Sequence, residues 1–105
     1  GSHSGIPWPL PLNKQQRKKR GLGQNTLAVK PYWAGKVQKY PAVLAGLKRS
    51  DIIVAINGKS PNLAGRELNT WIRINYPAGS VLGYSVIDTA GRKRVIKFRS
   101  KRFGH

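Results

Sequence analysis

Cysteine is absent from this chain of 105 residues. That excludes a disulfide framework, a thiolate nucleophile and zinc sites built on thiolates, and it leaves the redox compartment open. Acids are nearly as scarce, with Asp51, Glu67 and Asp88 the only three. The two histidines, His3 and His105, stand at opposite ends of the chain. Hydrolytic chemistry needs a base of near-neutral pKa beside a nucleophile, or paired carboxylates, or a metal cluster. None of these sets can be assembled here: the serines have no histidine to activate them, and no three residues make a metal site. The expectation is a protein that is not an enzyme and that takes no cofactor or metal. No apolar run approaches the roughly 18 residues that a membrane-spanning helix requires.

Positive charge is what the chain has in abundance. Twenty Lys and Arg against three acids give a formal charge of +17, far beyond what solubility requires. The basic residues thicken at Lys14, Arg17, Lys18, Lys19 and Arg20, and again from Arg92 to Arg102. Such a field draws nucleic acid, anionic lipid or acidic polymers through counterion release. The duller alternative is a basic domain whose compensating acids lie elsewhere in a larger protein. The opening Gly1-Ser2-His3 reads as a remnant of tag cleavage, which suggests a segment of something longer.

Along the chain, residues 5–13 alternate proline with large apolar groups, which forbids a helix and favours an extended conformation. The stretch reads as an interdomain linker that packs Trp8 or Leu10 on the domain, or as a docking motif. Residues 1–13 are accordingly assigned to tag remnant and linker, 14–102 to one domain and 103–105 to a tail. A strand is expected over Thr26-Leu27-Ala28-Val29, ended by Pro31 or marked by it as an edge, and another around Lys36-Val37-Gln38. Residues 65–76 place Leu68, Trp71, Ile72 and Tyr76 at the spacing of a helix with one buried face. Pro77 and Gly79 close it. Val81 to Ile87 and Arg92 to Phe98 are strands joined by the turn Asp88-Thr89-Ala90-Gly91. The fold class is α+β: five or six short strands forming a partly open barrel or sandwich, with one short and one longer helix.

The most informative stretch is residues 40–58. Ala42, Val43 and Leu44 form one helical turn that Gly46 can end in the left-handed conformation. Ile52 to Ile56 is a short β-branched run of the kind found in buried strands. Asn57-Gly58 is a strong turn signal. This order resembles the PDZ domain, in particular the bacterial form with its S-P-A-x-x-A-G-L-x-x-G-D-x-I-x-x-I-N-G signature. Here Tyr40 replaces the serine and Ser50 the usual glycine. The helix at 65–76 followed by Pro77-Ala78-Gly79-Ser80-Val81 is similar to the second helix of the family. Arg17-Lys18-Lys19-Arg20-Gly21-Leu22-Gly23-Gln24 is similar to its carboxylate-binding loop, although Gln24 stands where a hydrophobic residue is usual.

The resemblance implies a peptide-binding module that captures C-termini or extended segments by β-strand addition between a strand and the longer helix. It also implies a regulatory or substrate-recruiting part of a larger, protease-like protein, in an extracytoplasmic or membrane-associated setting. The physics of such a site is general. A glycine-rich turn can aim successive N–H groups at a carboxylate, and the ligand then pairs with an exposed edge. The site residues expected on this basis are Arg17, Gly21, Leu22, Gly23, Gln24, Asn25, Thr26, Leu27, Trp71 and Ile74. The accepting edge is expected at 25–29, with Leu22, Leu27, Trp71 and Ile74 lining the pocket. One filled pocket and one strand give an affinity of about 1 μM. Trp71 also reads as core, and Asp51 as a structural turn cap. The competing function is a basic surface that binds nucleic acid or anionic membrane, with Trp8, Tyr32 and Trp33 as stacking platforms. A third is a spacer whose groove is plugged by Trp71 or by residues 5–13. The isolated domain is expected to be a monomer.

Overall fold

The computed structural model describes residues 8–32 and 40–100. Gly1 to Pro7, the expected strand at Lys36–Gln38, Trp33 and the 103–105 tail lie outside the described residues. The elements run β1 (Trp8–Pro11), α1 (Lys14–Lys19), β2 (Val29–Tyr32), α2 (Pro41–Leu44), β3 (Ile52–Ile56), α3 (Gly65–Asn75), β4 (Val81–Ile87) and β5 (Lys93–Arg99). All five strands join one antiparallel sheet in the order β1-β2-β3-β4-β5. The α+β class therefore holds, as an open five-stranded sheet with three helices.

Two segments differ from the sequence expectation. The stretch 5–13 contains strand β1, paired with β2 from Trp8↔Tyr32 to Pro11↔Val29, so part of the expected linker belongs to the sheet. Proline fixed the extended backbone but not its isolation. The basic run forms helix α1, started by a capping box in which Gln16 N donates to Asn13 Oδ1 and Asn13 N to Gln16 Oε1. Reciprocal capping satisfies two amides that a helix otherwise leaves orphaned.

One face of the sheet carries the main core. Leu27, Val29, Ile53, Ile56, Leu82, Tyr84, Val86 and Ile96 are buried there with Leu68 and Ile72 of α3. Each such aliphatic side chain contributes about 1.5–3 kcal/mol by leaving water. Leu82, Tyr84 and Val86 share this face because strand side chains alternate. Tyr84 meets Phe98 edge-to-face at 4.9 Å. The other face holds a smaller cluster, Leu12, Ala28 and Ile52, with Leu22 and Val54 packed on it.

Turn chemistry sets the joints. Asn57 (φ 50) and Gly58 (φ 79) form a two-residue hairpin turn closed by paired bonds between Ile56 and Lys59. Asn57 Oδ1 also accepts from Gly83 N at 2.7 Å, tying the turn to β4. Asp51 accepts from Lys48 N at 2.8 Å, as a turn cap should. It is fully buried, and Arg94 donates to both of its oxygens, at 3.0 and 2.6 Å.

Candidate functional site

The Gly21-Leu22-Gly23 segment is the stop of α1. Gly21 sits at φ 71, its N–H donates to Lys18 O at 3.1 Å, and Leu22 N donates to Arg17 O at 2.8 Å. These are the two bonds of the Schellman motif, in which a left-handed glycine lets the chain fold back on the last helical carbonyls. Amides expected to converge on a carboxylate are thus engaged within the helix cap.

Arg17 likewise faces inward. Its side chain is buried, and the guanidinium donates to Gly23 O at 2.8 Å, Thr26 O at 2.7 Å and Asn62 Oδ1 at 3.2 Å, with Nε 3.4 Å from Leu12 O. A planar fork of five donors suits a cage of carbonyls, and here it ties α1, the 23–26 turn and the loop before α3 together. The cation expected to meet a ligand is a strut.

The other expected pocket residues are dispersed. Leu22 packs on the small cluster, whereas Leu27 is fully buried in the main core on the opposite face. Gln24, Asn25 and Thr26 are exposed in a turn, where Gln24 Nε2 reaches Lys14 O at 3.4 Å. Trp71 is half-buried against the core and meets Tyr76 edge-to-face at 5.9 Å. Ile74, off the apolar stripe, is 73% exposed. The expected accepting strand at 25–29 begins only at Val29, and its margin is already paired with β1.

The sheet margin beside the long helix is therefore that of β1, the terminal strand, which lies against α3. At its near end Trp8 packs on Gly65, where a Cβ would stand 3.1 Å from Cζ2 of the indole. Hydrogen-bond parity along β1 follows from Leu12 N, which donates to Ala28 O at 3.0 Å and extends the β1–β2 register. Inward-pointing groups then belong to Trp8, Leu10 and Leu12, and outward ones to Pro9 and Pro11. The outer margin carries no N–H, and of its two carbonyls only that of exposed Pro11 is accessible, Pro9 being fully buried. The same parity aims the missing amide of Pro31 at β3, and β2 pairs with β3 only at Val29↔Ile53. Pro31 thus sits inside a strand and interrupts one ladder, rather than ending the strand.

Electrostatics distinguish the α1 face. Three concavities adjoin there: Lys30 and Gln16 line two of them, and Lys19, Arg20 and Thr89 bridge to the third. No acid lines any of the three. Asp88, the nearest, turns its carboxylate onto its own hairpin, accepting from Ala90 N and Arg92 N at 2.9 Å each. The Arg92 amide foremost, together with Ala90 N–H and the Arg92 guanidinium, holds its carboxyl below the usual carboxylate range. Arg94 is pushed up by its hydrogen bonds to Asp51, and burial pushes the Tyr84 phenol up. Among the described residues no group of His, Asp and Glu could hold a metal ion.

No family model, curated protein or solved structure matches the chain.

Proposed function

We propose that this domain is a PDZ-like protein-interaction module that takes an extended peptide along the outer margin of β1, beside α3. The carrying observation is a terminal strand, unpaired on its outer side among the described residues and exposed at Pro11, lying against an 11-residue helix. Exposed Ile74 on that helix offers apolar surface to a ligand side chain. The likeness of residues 40–58 to recruiting modules supports a role in delivering chains to a separate processing domain of a larger protein.

Pro9 and Pro11 define the recognition. With the exposed Pro11 carbonyl directed outward and no outward amide, β1 can accept a hydrogen bond but cannot donate one, so the ligand must supply the N–H. The ladder is one-way. The test is a titration with a hydrophobic peptide series, N-methylated at successive positions and followed by amide NMR shifts. Methylation at the one residue whose N–H meets the Pro11 carbonyl should weaken binding about 10-fold, while the other positions tolerate it. Uniform tolerance, or shifts confined to residues outside Trp8–Pro11 and Gly65–Asn75, would reject the reading. A free-acid peptide that outcompetes its amide marks terminal capture; equal binding marks an extended segment.

A further inference from the structure

The trough on the α1 face is independent of the β1 margin and calls for a ligand of its own. Lys19, Lys30, Arg20 and Lys93 line it together with Arg49, and none of the chain's three acids does. Asp51 is buried beneath Arg94, Asp88 is folded onto its own turn with Arg92, and Glu67 lies in the first turn of α3. At one end of the trough Tyr32 is 57% exposed. Its cross-strand partner is Trp8, 49% exposed. Trp8 packs its indole on Gly65 at the start of α3, so Tyr32 is the ring that lines the trough where the cations end.

We propose that this trough binds single-stranded nucleic acid, with its phosphodiesters along the lysines and arginines and an unpaired base stacked on Tyr32. The combination of a basic channel with an aromatic platform is what a flexible strand with exposed bases requires. A bilayer is flat, and it would not reach a recessed floor that includes the buried Leu12 and Ile52. An acidic peptide would satisfy the cations and leave the Tyr32 ring unstacked.

The test uses the whole chain and fluorescently labelled oligo(dT) and oligo(rU) of ~12 nucleotides, read by anisotropy. About four neutralised phosphates on a single strand give a slope of log K against log salt near −2.8, or roughly 50-fold weakening between about 50 and 200 mM salt. The pair Lys19→Ala and Lys30→Ala should reduce that slope by about 1.4. Tyr32→Ala should weaken binding about 10-fold at unchanged slope. All three positions are exposed, and circular dichroism checks that the variants stay folded. The proposal is overturned if base-free polyphosphate or polyglutamate competes as well as the oligonucleotides. It is equally overturned if Tyr32→Ala binds like the parent, or if phosphatidylserine vesicles bind while the oligonucleotides do not.

Discussion

Replacing Arg17 with methionine tests whether this side chain is a strut or a ligand contact. Methionine keeps much of the apolar stem and removes every donor. The carbonyls of Gly23 and Thr26 then lose bonds of 2.8 and 2.7 Å to a charged group, and Asn62 loses its partner at 3.2 Å. Hydrogen bonds to charged groups are worth about 1.5–3 kcal/mol each. Taking the lower figure for the two short ones gives a loss of about 3 kcal/mol, against total stabilities on the order of 5–15 kcal/mol for domains of this kind. The melting temperature should fall by roughly 12–24 °C. Urea unfolding followed by tryptophan fluorescence measures the loss directly, at an unchanged m-value. A double-mutant cycle with Asn62→Ala should return a coupling of about 1 kcal/mol. A variant within about 0.5 kcal/mol of the parent would refute the strut.

Three further outcomes are expected. Gly21→Ala should destabilise by about 1 kcal/mol, because φ 71 is strained for any residue with a Cβ even though nothing crowds the position; an unchanged urea midpoint would contradict the helix cap. Asp88 has a lowered folded pKa, so its stabilisation is present above the ordinary carboxylate pKa of about 4 and is lost as pH falls through the folded value. Asp88→Asn retains an acceptor for the turn and should flatten the acid limb of stability against pH; an identical limb would assign that slope to other groups. Pro11→Ala restores an exposed outward amide on β1 without breaking a ladder bond, and should tighten peptide binding or promote self-association, both visible by sedimentation and NMR.

The second half of the fold was legible in residues because local signals and burial agree there. Ile52 to Ile56 is a strand with the expected bounds, Asn57-Gly58 makes the turn, and the Leu68, Trp71, Ile72 stripe faces the core while Ile74 points away. The N-terminal third misled because each signal there has two physical outcomes. Prolines select an extended backbone, but whether it is linker or strand depends on a partner more than twenty residues away in sequence, as Trp8↔Tyr32 illustrates. Gly21-Leu22-Gly23 fits both an anion nest and a helix stop. Asn13 with Gln16 three residues on, a capping signature in plain view, would have decided for the helix. Arg17 could not be placed from sequence at all, since its acceptors are backbone carbonyls that carry no residue-type signal.

The order of strands in the sheet is their order in the chain, and this governs how the domain assembles and comes apart. Each strand's neighbour is the next one made, but only the β4–β5 connection, residues 88–92, is short, whereas the β3–β4 connection carries α3 over to β1. Opening should run inward from the β1 flank. β1 joins through four residue couples, and β2, whose Pro31 has no amide to give β3, holds it at a single residue pair. The long β4–β5 hairpin is instead paired along seven residue couples. Amide hydrogen exchange should therefore grade along the sheet, fastest at Leu10 and slowest in the strands around Tyr84, so that the interaction surfaces lie on the part of the molecule that yields first.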